Sequence, residues 1–332
     1  MIEPLNDDVS PRHDAAAAET GVPPAVGVPG PEASKDVARS LLSDAWYEMR
    51  RRPLFWISSL LIVVVLVMAA FPQLFTSQDP LYCQLILSRR PPSAEHLFGT
   101  DIQGCDVYAR TIYGARASVL VGVITTLCVA TIGVLIGVVS GYYGGWVDTL
   151  LSRAGEIFFA IPMLLGGIVI LYSLPSPRDP NFDRTLLYFI VVGKVILALT
   201  LLGWPSLARI MRSSVLTVKP QEYVQAARAL GASPARVITS HIIPNALAPV
   251  VVVATINLGQ YIALEATLSF LGIGLQPPAI SWGIAISEAS GLGYVISAPH
   301  MLLFPSLFLS LTVLAFIMLG EVVRDALDPK LR

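Results

Sequence analysis

From residue 54 onward the chain is a succession of long apolar stretches separated by segments that hold the charge. The stretches cover residues 54–75, 117–140, 157–174, 186–207, 246–264 and 301–319, and only the fourth carries a charge, Lys194. Crossing ~30 Å of hydrocarbon at ~1.5 Å per residue takes about 20 apolar residues. The pattern therefore predicts six membrane-spanning α-helices, the third on the short side. The ~10-residue alternating strands of an outer-membrane barrel are absent from it. A seventh uncharged window, 267–286, is punctuated by Gly272, Gly274, Pro277 and Pro278. A helix there would lose donors that lipid cannot replace, so it reads as a partly buried outer loop.

Composition sharpens the class. Of 332 residues, 54% are hydrophobic and 14% charged, with a mean hydropathy of +0.68. Soluble domains carry roughly 25% charge, so a water-soluble globule is excluded. The net charge of -1 lacks a nucleic-acid footprint, and three cysteines are too few for a disulfide-built scaffold. Orientation follows from Lys and Arg beside the spans. Six spans with the N-terminus inside put twelve basic residues in the cytoplasm, including Arg50, Arg51, Arg52, Arg153, Arg209, Arg212, Lys219, Arg228 and Arg236. Six remain outside: Arg89, Arg90, Arg110, Arg116, Arg178 and Arg184. Both termini are expected in the cytoplasm. Residues 1–45, rich in Ala, Pro, Gly and acidic side chains, predict a disordered cytoplasmic tail and no signal peptide. Residues 46–75 would hold a surface helix, begun near 41, and the first span. An extracytoplasmic loop follows at 76–116, then a core of five spans at 117–332 with a cytoplasmic loop at 205–244.

Enzyme chemistry finds no foothold. His13, His96, His241 and His300 are scattered outside any HExxH pattern, and no G-x-S-x-G elbow occurs. Gly193-Lys194 is the only Gly-Lys pair, and Tyr188 stands where a phosphate-binding loop needs its first glycine. No two aspartates lie within the spans. The chain is expected to be non-catalytic, with no cofactor or metal of its own.

The 205–244 loop is long for a compact helical membrane protein. It predicts one helix from Pro220 through Glu222 to Leu230, with Pro220 in the first turn and Glu222 at the positive end. Gly231 supplies a left-handed cap. Ser233-Pro234 then begin a second helix through Ser240, and Pro244 leads into the fifth span. Ala226 and Ala227 keep the first helix narrow for a close neighbour, although alanine is also the best helix former.

The run Glu222-Tyr223-Val224-Gln225-Ala226-Ala227-Arg228-Ala229-Leu230-Gly231-Ala232-Ser233, continued by His241-Ile242-Ile243-Pro244-Asn245, resembles the signature loop of ABC-importer permeases, dipeptide/oligopeptide branch. His96-Leu97-Phe98-Gly99-Thr100-Asp101, Asp106-Val107 and Tyr113-Gly114-Ala115-Arg116 are similar to that branch's second-permease subunit. So are Leu264-Glu265-Ala266, Leu268-Ser269-Phe270-Leu271-Gly272, Gln276-Pro277-Pro278, Trp282-Gly283 and Arg324-Asp325-Ala326-Leu327-Asp328-Pro329-Lys330-Leu331. The resemblance covers roughly residues 46–332. Gln225 departs from the usual Glu, and Cys105 from the usual Arg.

The resemblance implies a type I ABC-importer permease fold, in the bacterial plasma (inner) membrane, importing peptides. It also implies a homologous second permease as heterodimer partner, two cytoplasmic ABC ATPases that bind ATP and Mg, and an extracytoplasmic peptide-binding protein. Membrane lipid surrounds the chain, and no nucleic acid is involved. Residues Glu222 to Ser233 are then the ATPase contact, with Glu222 or Arg228 rather than the uncharged Gln225 as polar anchor. Siblings of the fold that import nickel complexes, glutathione or another small solute are the alternative cargoes. An ion-driven carrier is the alternative class, and of the charges only Lys194 suits the midplane relay it needs.

Further expectations come from the residues. Gly133, Gly137 and Gly141 recur every four positions, so one stripe can meet another helix of this chain or of a partner; Gly145 extends the spacing into a turn. Cys83 and Cys105 share the outer loop, where pairing would contribute about 3 kcal/mol, and their spacing leaves pairing open. Cys128 reads as a small packing residue. Asp101 and Asp106 read as loop braces rather than a calcium site. Lys194 fits either the pathway or a structural pairing, and Glu265 a hold on the outer loop.

Overall fold

The computed structural model describes residues 46–175, 177 and 182–327, within one unit that spans 40–332. The tail at 1–45, Arg178, and the motif residues 328–331 lie outside the described residues. In chain order the helices are α1 Pro53–Ala70, α2 Val107–Tyr143, α3 Gly145–Phe159, α4 Met163–Ser173, α5 Arg184–Val218 and α6 Glu222–Ala229. Then come α7 Pro234–Val237, α8 Ile243–Ala246, α9 Ala248–Phe270, α10 Trp282–Ala289, α11 Leu292–Ser297 and α12 His300–Leu327. The described residues contain isolated bridges but no strand.

Five of these helices (α1, α2, α5, α9 and α12) are long and apolar enough to cross a membrane, and α3 with α4 makes six if the pair counts as one span. The fold is an all-α membrane bundle. Successive spans alternate in direction. Arg52 at the start of α1 pairs with Asp325 near the end of α12 at 2.5 Å. The end of α1 meets the start of α2, where Arg116 donates to the Ala69 and Ala70 carbonyls at 3.1 and 3.2 Å. One end of the bundle thus carries the 71–106 loop, here called the clasp. The other carries residues 219–247, here called the elbow.

Local chemistry sets the helix limits. Pro53 occupies the first turn of α1, where its missing N–H costs little. Asp106, Asp183 and Ser281 cap α2, α5 and α10 by accepting from backbone amides of the first turn. Gly144, at φ 68°, ends α2. At 37 and 35 residues, α2 and α5 are each about 50–55 Å long, so both overhang the hydrocarbon.

Three features differ from the sequence expectation. The third span, read as a single helix over 157–174, is broken: α3 and α4 meet at 87°. Pro162 lacks an N–H and pushes Ile161 away from helical backbone, and the helix before it starts as early as Gly145. The fourth span does not stop at 207. Pro205 sits inside α5, which continues to Val218, so the loop read at 205–244 loses its first residues to helix. Finally, α2 begins at Val107 rather than 117, because Asp106 caps it there. The 267–286 window is no span: α9 ends at Phe270, and a loop with a cis Pro277–Pro278 peptide leads to α10.

Candidate functional site

The elbow is built by the ends of α2 and α5. The Lys219 amide bonds the Val215 carbonyl, and its Nζ donates to the Tyr142 carbonyl at 2.7 Å. A cation there also suits the negative end of α2. Pro220 lies outside the helix that follows, contrary to its predicted place in the first turn. Gln221 closes the turn off α5 through Val218 and, with extended backbone, becomes the N-cap of α6. Glu222 is then the first helical residue.

α6 has two faces. Val224 points inward, fully buried, in one apolar cluster with Val138 of α2, Val215 of α5, Val237, Ile242 and Val250 of α9. The Arg228 guanidinium lies 5.1 Å from the Tyr142 ring centre, adding a cation–π contact. Outward stand Tyr223, 44% exposed, Ala226, and Leu230, 89% exposed. Their spacing of three and four residues makes one stripe. Ala227 and Arg228 are half-buried, whereas Gln225 faces out.

The helix ends in a Schellman turn: the Ala232 amide bonds the Ala227 carbonyl at 3.0 Å and the Gly231 amide the Arg228 carbonyl at 2.9 Å. Gly231 takes φ +82°, and no atom lies within 4 Å of where its Cβ would stand. The glycine is required by backbone conformation rather than by space. Ser233 caps α7 through the Arg236 amide at 3.4 Å. The second helix does not continue regularly through Ser240: α7 stops at Val237, and a wider π turn covers Ile238–Ile242. Pro244 explains the change, since its ring excludes the Ser240 carbonyl four positions back from a regular helix.

The glycine stripe lies against α5 of the same chain. A Cβ at Gly133 would stand 2.7 Å from Leu207 Cβ, at Gly137 2.6 Å from the Ala208 oxygen, and at Gly141 2.8 Å from Val215 Cβ. Gly145, at φ +56°, begins α3, and no atom lies within 4 Å of where its Cβ would stand. Below the stripe Arg212 grips Asp148 of α3 with two bonds, Nε–Oδ1 2.5 Å and Nη2–Oδ2 2.6 Å. Ser140 donates to the same carboxylate. A cavity of about 310 Å³ opens beside this pair, lined by Gly137, Ser152, Trp204 and Arg209 among others.

Lys194 and Glu265 both lie within the bundle. Lys194 donates to the Leu174 carbonyl at 2.6 Å, closing the end of α4. Glu265, fully buried, accepts from Ser269 Oγ at 2.8 Å, and Ser118 and Ser281 lie beside its carboxyl. Ser269 Oγ in turn accepts from the Leu275 amide at 2.9 Å, so Glu265 reaches the outer loop through Ser269. Trp282, buried, donates to the Thr111 carbonyl at 2.9 Å and locks α10 to α2.

In the clasp, Cys83 and Cys105 are joined by a disulfide, while Cys128 is free and half-buried. Asp106 also accepts from His96 Nδ1 at 2.8 Å. Asp101 accepts from the Gln103 and Cys105 amides and pairs with Arg110, which also reaches Glu288 at 2.9 Å. Burial pushes the Glu288 carboxyl up from its usual range, and the Arg110 charge opposes that rise only in part. Phe98 stacks on Phe304 with ring centres 3.8 Å apart, fastening the clasp to α12. Among the described residues no three His, Cys, Asp or Glu side chains gather as metal ligands do.

The sequence reading missed Val224, Tyr142, Lys219 and the Asp148–Arg212 pair. Val224 could have been found as the one bulky aliphatic residue inside an otherwise polar or small helix. The others become partners only when α2, α3 and α5 come together.

Residues 133–332 match the family described as "Binding-protein-dependent transport system inner membrane component". Residues 40–92 match the "N-terminal TM domain of oligopeptide transport permease C". The chain is 38% identical, over 88% of its length and 91% of the relative's, to the oligopeptide transport system permease protein OppC of Bacillus subtilis. It is also 38% identical to that organism's dipeptide transport system permease protein DppC, over 88% of this chain and 87% of the relative. Identity to the glutathione transport system permease protein GsiD of Escherichia coli is 34%, over 91% of this chain and 95% of the relative.

Proposed function

The chain belongs to the family of binding-protein-dependent transport system inner membrane components, and from that premise we propose that it is one permease half of an ATP-driven importer of peptides. A homologous second permease completes the path. Two ATPases, which bind ATP and Mg, dock beneath the elbow, and an extracytoplasmic binding protein delivers cargo at the clasp end. This chain makes no bond and breaks none; its work is to turn a push into a change of shape.

The observation that carries the reading is the two-sidedness of α6. Its outer side, Tyr223 and Ala226 with Leu230 just past the helix end and Glu222 and Gln225 alongside, is exposed and suits a groove on another protein. Its inner anchor, Val224, is buried in the apolar cluster that side chains of α2, α5 and α9 also enter. A force on that side therefore reaches three spans through close-packed contacts, which transmit strain because interiors compress little. Lys219 and Arg228, both on Tyr142, keep the elbow from sliding along α2.

The test is a crosslink. Leu230→Cys should join a cysteine placed in the ATPase groove, and should resist a membrane-impermeant thiol reagent added outside right-side-out vesicles. Labelling from outside, or no crosslink to any ATPase, refutes the assignment. Gly231→Pro should abolish ATP-dependent peptide uptake while the protein still reaches the membrane, because proline cannot take φ +82°. Normal uptake by that variant would sink the coupling role.

The 34% identity to GsiD supports glutathione as a second cargo reading. Uptake of a defined peptide panel beside glutathione separates the two. An ion-driven carrier fits less well, since Lys194 is engaged by the Leu174 carbonyl and Glu265 by Ser269. Such a carrier would move solute in vesicles that lack the ATPases.

A further inference from the structure

A large open space lies at the clasp end, between the first turns of α5, the start of α2 and the Pro277–Pro278 loop. Its volume is about 970 Å³, at the upper end of the ~300–1,000 Å³ typical of small-ligand sites. Aromatic and aliphatic side chains form the wall, among them Tyr113, Tyr188, Phe189 and Ile280. Two arginines, Arg116 and Arg184, are among the residues that line the same space.

The arginines differ in their commitments. Arg116 uses two of its donors on the Ala69 and Ala70 carbonyls, which holds the group in place and leaves other N–H groups of its five. Arg184, exposed at the first position of α5, has no ion pair among the described residues. The acid beside it, Asp183, is engaged in capping α5 through the Leu186 amide at 2.7 Å. The space therefore offers positive charge at an apolar wall, a combination that selects an anion carried on an apolar body.

We infer that this cavity receives the C-terminal carboxylate of an extended peptide, with Arg184 and Arg116 on the carboxylate and Tyr188 and Phe189 against the last side chain. The inference rests on the peptide-importer reading and deepens it. Every unmodified peptide ends in a carboxylate, whatever its side chains, so a grip on that group serves cargoes of varied sequence. The wall is mostly apolar and the space is wide, which suits last residues of varied size.

The test uses the assembled importer, with its receptor and ATPases, and short peptides whose last residue is 4-benzoylphenylalanine. These carry either a free carboxylate or a C-terminal amide. With the free carboxylate, photolabelling should map to segments of α2, α5 and residues 277–280. Arg184→Gln should weaken that labelling about tenfold, the loss of one charge-assisted contact, and Arg184→Lys should recover part of it. The amide should label the wild type as weakly as the acid labels Arg184→Gln. Arg184→Glu should reverse the order, favouring the amide over the acid. The melting curve of each variant checks folding independently.

If the wild type imports these peptides with ATP but labelling falls elsewhere, or ignores both amidation and Arg184, the inference is overturned and the peptide reading survives. Competition of the label by anionic lipid, but not by unlabelled acid, also overturns it. If the wild-type assembly imports no peptide at all, the peptide reading fails and takes the inference with it.

Discussion

Replacing Gly137 by alanine asks whether α2 is held by its own chain or by another. A methyl carbon there would stand 2.6 Å from the Ala208 oxygen, 2.6 Å from Met211 Cβ and 2.9 Å from the Arg212 nitrogen. Carbon contacts settle at about 3.5–4.0 Å, so α2 and α5 must part by about 1 Å. Two of the three obstructing atoms are backbone and cannot swing aside. Overpacking of this kind costs ~1–3 kcal/mol, or about 5–150-fold in the folding equilibrium. Parting would also draw Arg212 from Asp148. Gly193→Ala is the control: nothing lies within 4 Å of its added carbon, and a helical Gly→Ala change gains up to about 1 kcal/mol. The assay is thermal unfolding of the purified single chain in detergent, followed by tryptophan fluorescence. Gly137→Ala should melt clearly below wild type, and Gly193→Ala at or above it. Equal melting of the two variants, with only assembly with the second permease weakened, would refute packing within this chain and hand the stripe to the partner.

Other expectations follow from the same geometry. Val224→Ala removes a fully buried anchor worth ~1.5–3 kcal/mol; proteolysis at the elbow should quicken and transport fall, while the spans melt as before. Opening the Cys83–Cys105 bond, whose partners are 22 residues apart, should cost about 3 kcal/mol locally in the chain-entropy model, read as faster cleavage within the clasp under reductant. Glu288 has a raised pKa in the folded chain, so the folded state takes up a proton before the unfolded one as pH falls from 7. Its contribution is greatest below the unfolded glutamate pKa and is lost as pH rises through the folded value. Hydrogen exchange in α10, corrected for intrinsic rate, should accordingly slow on acidification, and Glu288→Gln should remove that dependence.

Much of the bundle was legible because an uncharged stretch of twenty residues has few alternatives to a span. The Gly133, Gly137 and Gly141 spacing announced a close helix contact, but a stripe does not name what it meets. The break at Pro162 was present in the sequence and was overridden by the apolar run around it. Pro205 misled in the opposite sense, since α5 continues past it to Val218. At the elbow, Gly231 and Ser233 fixed a turn that the backbone then makes, whereas the π turn before Pro244 arises from a clash that only a continuous helix would meet. Lys194 and Arg116 illustrate the rest: a charge beside an apolar run looks like chemistry. Both also meet carbonyls, at the ends of α4 and α1, that lie far away along the chain.

The length of α5 has a mechanical consequence. One helix, 35 residues from Arg184 to Val218 with Pro205 inside it, has the arginine-lined chamber at its head and the elbow at its foot. Pivoting such a helix by 5° about its foot sweeps its head through roughly 4–5 Å, taking ~1.5 Å of rise per residue. That sweep is wider than a hydrogen bond is long. A modest nudge at one pole would thus be enough to make or break a hydrogen bond at the other.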